Sequence, residues 1–185
     1  MGRGVQCSTA STIAAVSSRV IEFVPMPLET IRRPFEPVIR RLLHLYWRFA
    51  RGLTIGVRGL VVDGTGRVFL IKHSYLSGWH LPGGGVEAGE TLATALAREL
   101  REEGNIELSE APEFFAMYFN RRISRRDHVA LYVVRSFHQT ATPQPNSEIV
   151  AHSFFAVDAL PPDTTRATRE RIAEVLHGRS VAELW

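Results

Sequence analysis

The chain has 185 residues, 45% of them hydrophobic, which is enough to bury the core of one ordinary domain with an appendage. Its formal net charge of +3 comes almost wholly from arginine, since Lys72 is the only lysine. That charge suits an anionic small substrate, and no specific nucleic-acid binding is expected. Cys7 alone excludes an internal disulfide framework and points to a cytoplasmic protein, and no apolar run approaches the roughly 18 residues that span a bilayer.

Residues 1–25 are rich in Ser, Thr and Ala with weak helical pattern, and they read as a disordered extension. A transit-like segment, or a true start at Met26, are the alternatives. Residues 26–52 differ. Ile39, Leu42, Leu43, Tyr46 and Phe49 recur at helical spacing with Arg40, Arg41, Arg48 and Arg51 between them, so 38–51 is expected to form a basic amphipathic helix. Such a helix either docks on its own domain or makes a peripheral contact with an anionic membrane. The oligomeric state stays open, a homodimer included.

A single domain is expected over 53–185. Two β-rich runs around Asp63-Gly64-Thr65-Gly66 read as a hairpin, and a short strand over 79–81 leads to Gly83, Gly84 and Gly85. A helix follows over 91–104, capped by Thr91 and closed by Gly104-Asn105. Strands are expected over 113–121, 128–138 and 150–157, with a basic loop of Arg121, Arg122, Arg125 and Arg126 between the first two. The last helix is expected over 165–176. Strands and helices in this order imply an α/β fold with a mixed sheet between helices.

On the helix over 91–104, Leu92, Leu96 and Leu100 form an apolar stripe, while Glu99, Glu102 and Glu103 form a second stripe about a quarter turn away. Three carboxylates at i, i+3 and i+4 repel unless a cation lies between them. With no Cys or His at ligand spacing, the oxygen-only set favours Mg²⁺ or Mn²⁺. Arg98 lies one turn before Glu102 and can orient it. A solvated acidic face is the competing reading of the same stripe.

The spacing decides between them: Gly84, five residues, Glu90, seven residues, then Arg98-Glu99-Leu100-Arg101-Glu102-Glu103-Gly104-Asn105-Ile106. It resembles the signature box of the Nudix hydrolases at every specified position but one, where Asn105 stands for glycine. The resemblance implies a Nudix-type α/β/α sandwich and a hydrolase acting on acid anhydrides. It also implies that Glu99, Glu102 and Glu103 bind metal, that Arg98 holds those carboxylates, and that a loop carbonyl such as that of Gly83 adds a ligand. Gly84, Glu87 and Glu90 then belong to loop geometry or the outer shell. The general base is either a box glutamate or a later acid, Glu148 or Asp127. Arg121, Arg122 and Arg126, with Glu148, are candidates for substrate contact, a solvated loop being the alternative. His80 and His128 read as strand histidines, and Trp79 and Phe119 as core.

The expected function is Mg²⁺-dependent cleavage of a phosphoanhydride in a nucleoside diphosphate linked to another moiety, with ADP-ribose-like compounds and nucleoside triphosphates as leading substrates. A catalytically silent nucleotide-binding or membrane-associated regulatory protein is the alternative. An intact arginine and glutamate set favours the enzyme.

Overall fold

The structure, a computed structural model, describes residue 41 and residues 52–141, 143 and 147–185. The chain divides into Met1–Trp47 and Arg48–Trp185. Apart from Arg41, which is helical, the expected extension and basic helix lie outside the described residues. Among the described residues no helix is long and apolar enough to cross a membrane.

The second unit contains β1 (Thr54–Val61), β2 (Val68–His73), α1 (Leu92–Gly104), β3 (Ile106–Leu108), β4 (Glu113–Phe119), β5 (Asp127–Val134), β6 (Phe137–Gln139), β7 (Ile149–Phe155) and α2 (Arg166–Leu176). β5 pairs in parallel with β1 and antiparallel with β4, giving a mixed sheet. β2 pairs with β7 and β3 with β6, both antiparallel.

Alternation along the strands sends side chains to two cores. Val57 and Val61 of β1, Phe69 and Ile71 of β2, and Ala130 and Tyr132 of β5 pack with Ala95, Leu96 and Leu100 of α1. Leu60, Leu70 and Leu131, one residue out of phase, pack with Tyr118 of β4 and Ile172 of α2. A helix thus covers each face, the expected α/β/α arrangement.

The hairpin expected over β1 and β2 is not the pairing the chain adopts. Its turn forms, with Asp63 N–H donating to Arg67 and Gly66 N–H donating back to Asp63, but the two strands share only the bridge Val62–Val68. The free edge of β1 is taken instead by the glycine loop: Val57 N–H donates to Gly84 O at 2.8 Å, Gly59 N–H to Pro82 O at 2.9 Å, and Val86 N–H to Ile55 O at 2.9 Å. Likewise the short strand over 79–81 reduces to bridges of His80 to Ile71 and of Trp79 to Thr164. The strand expected over 128–138 divides into β5 and β6, and β6 pairs with β3, which no sequence signal announced.

α1 has the expected ends. Thr91 accepts from Thr94 N–H at 3.1 Å. Asn105 sits at φ 49, ψ 34 with its N–H on Arg101 O, the left-handed closure for which asparagine ranks after glycine. Asn105→Ala is expected to lower stability by about 1–2 kcal/mol, because alanine lacks the polar side chain that eases this conformation. Urea unfolding measures it; an unmoved midpoint would show that the left-handed geometry is not what the residue supplies.

Candidate active site

The glycine loop lies along β1 opposite α1, so the helix glutamates meet it at close range. Gly83 has φ 133, and a Cβ there would run into the Val57 carbonyl. A Cβ on Gly84 would enter the space held by the Glu99 carboxylate. Glycine at both positions is therefore what lets backbone and carboxylate share this space.

Glu103 is buried, and its Oε2 accepts from Gly83 N–H at 2.6 Å. Burial pushes its carboxyl up to about 8; the Gly83 N–H and Arg58 oppose that shift, while Glu99 and Glu148 add to it. Arg98 gathers the others. Its Nε donates to Glu90 Oε1 at 2.9 Å, Nη1 to Glu99 at 2.7 Å and to Glu102 at 3.4 Å, and Nη2 to Gly85 O at 3.1 Å. The Glu90 carboxyl is held below its ordinary value, first by Arg98. Glu90 also accepts from Glu87 N–H at 3.0 Å, which fixes the loop before the helix; Glu87 itself is exposed.

The structure thus brings Arg98, Glu99, Glu102, Glu103, Gly83, Gly84 and Glu90 together. The carboxylates are held apart within this group, Glu90, Glu99 and Glu102 by Arg98 and Glu103 by Gly83, and no three acidic or histidine side chains among the described residues stand as a ready metal cage. The donor set fits a hard divalent ion: carboxylate and carbonyl oxygens converge on a glycine cradle. The carbonyls of Gly83 and Gly84 each already accept one bond, Gly84 from Val57 N–H and Gly83 from Arg58 Nη1, which leaves each a second lone pair.

Arg58 was not singled out by sequence. It also donates to Leu81 O at 3.2 Å. Burial pulls its guanidinium down, while Glu103 and Glu99 pull it up. His73 was missed as well. It is buried, its Nε2 lies 4.0 Å from Glu103 Oε1, and neither ring nitrogen has a hydrogen-bond partner in the structure. Burial first, then Arg58, lowers its imidazole from the ordinary value. The only sequence signal for either was a polar residue inside a β-rich run.

Among the later acids, Glu148 reaches this region. It accepts from Tyr75 OH at 2.9 Å, its backbone carbonyl accepts from Ser74 N–H at 2.8 Å, and it is close enough to Glu103 to raise that carboxyl. Asp127 is committed elsewhere, accepting from Thr54 at 2.7 Å and Asn120 at 2.8 Å. Arg121 and Arg122 line a different cleft, beside α2. Arg126 stands at the entry to β5, its carbonyl accepting from Thr54 N–H. His80 bonds Ser77 O at 3.0 Å, His128 packs tilted against Phe119 with ring centroids 5.4 Å apart, and Trp79 packs edge-on against Phe155 at 4.8 Å.

Residues 52–176 match the NUDIX domain family. A MutT-like protein of Streptomyces ambofaciens is 34% identical over 122 residues, spanning 66% of this chain and 71% of that protein. Among solved structures, a MutT NUDIX hydrolase of Burkholderia pseudomallei aligns with a TM-score of 0.57 at 28% identity, covering 66% of this chain and 97% of that one. An ADP-ribose pyrophosphatase of Streptococcus suis 89-1591 aligns at 0.51 with 23% identity, over 70% of this chain and 94% of that one, a likeness of fold alone.

Proposed function

The chain belongs to the NUDIX domain family, hydrolases that act on acid anhydrides, and on that premise we propose a Mg²⁺- or Mn²⁺-dependent enzyme that cleaves the phosphoanhydride of a nucleoside diphosphate linked to another moiety. The observation that carries this reading is that Glu103 bonds Gly83 N–H and Glu99 lies against Gly84, while Arg98 ties Glu99 and Glu102 to the Gly85 carbonyl of the same loop. A solvated acidic face has no use for a buried Glu103 bonded to Gly83 N–H. Glu99, Glu102, Glu103 and the Gly83 carbonyl are the residues that would hold a divalent ion. Such an ion neutralises diphosphate charge and activates water.

The protein's own groups supply position. Arg98 keeps Glu90, Glu99 and the Gly85 carbonyl in one rigid unit, so the carboxylates need little reorganisation when substrate arrives. Arg58 fixes the Leu81 and Gly83 carbonyls and so sets the loop's orientation. Glu148, which accepts from Tyr75 OH, is our choice for the carboxylate that takes a proton from an attacking water; Glu103 is the box alternative.

Incubating the full chain with ADP-ribose, dinucleoside polyphosphates and nucleoside triphosphates, with Mg²⁺ and again after exhaustive chelation, tests this reading. Metal-dependent release of a nucleoside monophosphate from one class is expected. Turnover that survives chelation sinks the metal assignment, and nucleotide binding without turnover on any class replaces the enzyme by a silent binding module.

A further inference from the structure

One open cleft lies away from the glutamates. It is an open space of about 600 Å³ between the turn after β4, the outer face of α2 and the C-terminal segment, and it shares no residue with the box. Arg121, Arg122, Arg166 and Arg179 form its exposed rim. We propose that this cleft is a binding site for a phosphate-bearing small molecule, separate from the hydrolytic site.

Charge balance is the first reason. Five arginines face two glutamates across the cleft. Of these, Arg171 and Glu174 neutralise each other at 2.6 Å in the floor, and Arg166 pairs with Glu170 at 2.7 Å. Among the described residues Arg121, Arg122 and Arg179 make no ion pair. Three arginines on the rim of one open space raise its positive potential, and an anion carrying two or more charges lowers it. Guanidinium forks match phosphate oxygens in pairs, which a carboxylate offers only once.

The frame is the second reason, since it does not have to be ordered by the ligand. Asn120 O accepts from Ile123 N–H at 3.1 Å and Ser124 N–H at 3.3 Å, and Asn120 Nδ2 bonds Asp127, so the arginine turn is closed. Thr165 caps α2 through Thr168 N–H, fixing Arg166 in the first helical turn, where the helix dipole also favours negative charge. The C-terminal segment is held by Ala182 N–H on Glu174 and by Trp185 N–H on Phe119 O. Ala167, Leu184 and Trp185 give the cleft an apolar wall that a bare inorganic ion does not need. An organic portion, as in a phosphate ester, covers it.

The test is calorimetric titration of the full chain with pyrophosphate and with adenosine monophosphate in excess chelator, where no hydrolysis is required. Binding of at least one probe is expected, weakened about tenfold or more by Arg121→Ala with Arg179→Ala, and unchanged by Glu102→Gln. Tighter binding of the ester than of pyrophosphate assigns the wall to an organic group; the reverse assigns a free anion, and both keep the anion site. Absence of binding for both probes overturns the proposal, as does binding that ignores the arginine changes or disappears with Glu102→Gln. Thermal melts check that the double alanine variant folds. If it does not, Arg121→Gln with Arg179→Gln removes the charge while keeping a long polar side chain, and undiminished binding there overturns the proposal too.

Discussion

Glu103→Gln and Glu102→Gln are each expected to lower turnover by about a hundredfold or more, the scale of removing one preorganised electrostatic partner. Glutamine is the informative change at Glu103. Its amide oxygen can still accept from Gly83 N–H, now 2.6 Å from the carboxylate, so the loop contact survives while the negative charge does not. Burial penalises charge at this position, so a neutral amide that keeps the Gly83 contact is expected to leave the fold intact, and circular dichroism separates lost ligand chemistry from a collapsed loop. Glu102 tests the other extreme, since its side chain is 60% exposed and reaches Arg98 only at 3.4 Å. Its removal leaves the fold almost untouched. Steady-state kinetics at fixed Mg²⁺, with circular dichroism on both variants, make the comparison. Near-normal rates in both would place the chemistry elsewhere.

The parts of this site that were legible in the sequence are those fixed by helix geometry and backbone conformation. Glu99, Glu102 and Glu103 fall on one stripe because α1 has 3.6 residues per turn, and Arg98 reaches Glu102 because i and i+4 are neighbours. Asn105 could be read as a left-handed closure from its type alone. What stayed hidden depends on segments far apart in the chain. Arg58 matters because the Gly83 carbonyl, 25 residues later, is folded back beside it. Tyr75 matters because Glu148, 73 residues later, is set against it.

The hairpin reading failed for a related reason. Asp63 to Gly66 carries real turn chemistry and does turn, but local signals do not decide which edge a strand pairs with. The carbonyls of Gly84 and Pro82 compete for β1 and win its edge, and that competition is what aligns the glycine loop with α1. The arginines after β4 teach the same lesson. Their charge was visible in the sequence, whereas their position beside α2 follows from how β4 ends and where the C-terminal segment returns.

Glu174→Ala is expected to cost about 3–5 kcal/mol of stability, the scale of leaving one partner of a buried ion pair uncompensated. Arg171 is 0% exposed, lies 4.1 Å over the Tyr118 ring, and donates from Nη2 to Glu174 at 2.6 Å and from Nη1 to Leu184 O at 3.0 Å. Glu174 also accepts from Tyr118 OH at 2.7 Å and from Ala182 N–H at 3.1 Å. Truncating it therefore strands a cation, a phenol and a backbone donor at once. In the intact protein, burial of Tyr118 and its bond to Glu174 push the phenol up above its ordinary value, so the negative charge that balances Arg171 is that of Glu174. Replacing both members, Arg171→Met with Glu174→Leu, removes the stranded charge and is expected to recover a large part of the loss, because a well-packed apolar pair often does as well as a buried ion pair. Urea unfolding of the two singles and the double gives the coupling. A single loss below about 1 kcal/mol, the ceiling for exposed pairs, would mean that water reaches Arg171. The same bonds anchor the segment from Ala182 to Trp185 along β4, so the Glu174 variant should also lose the wall and floor of the arginine cleft, weakening anion binding there while the glutamate site keeps its own contacts.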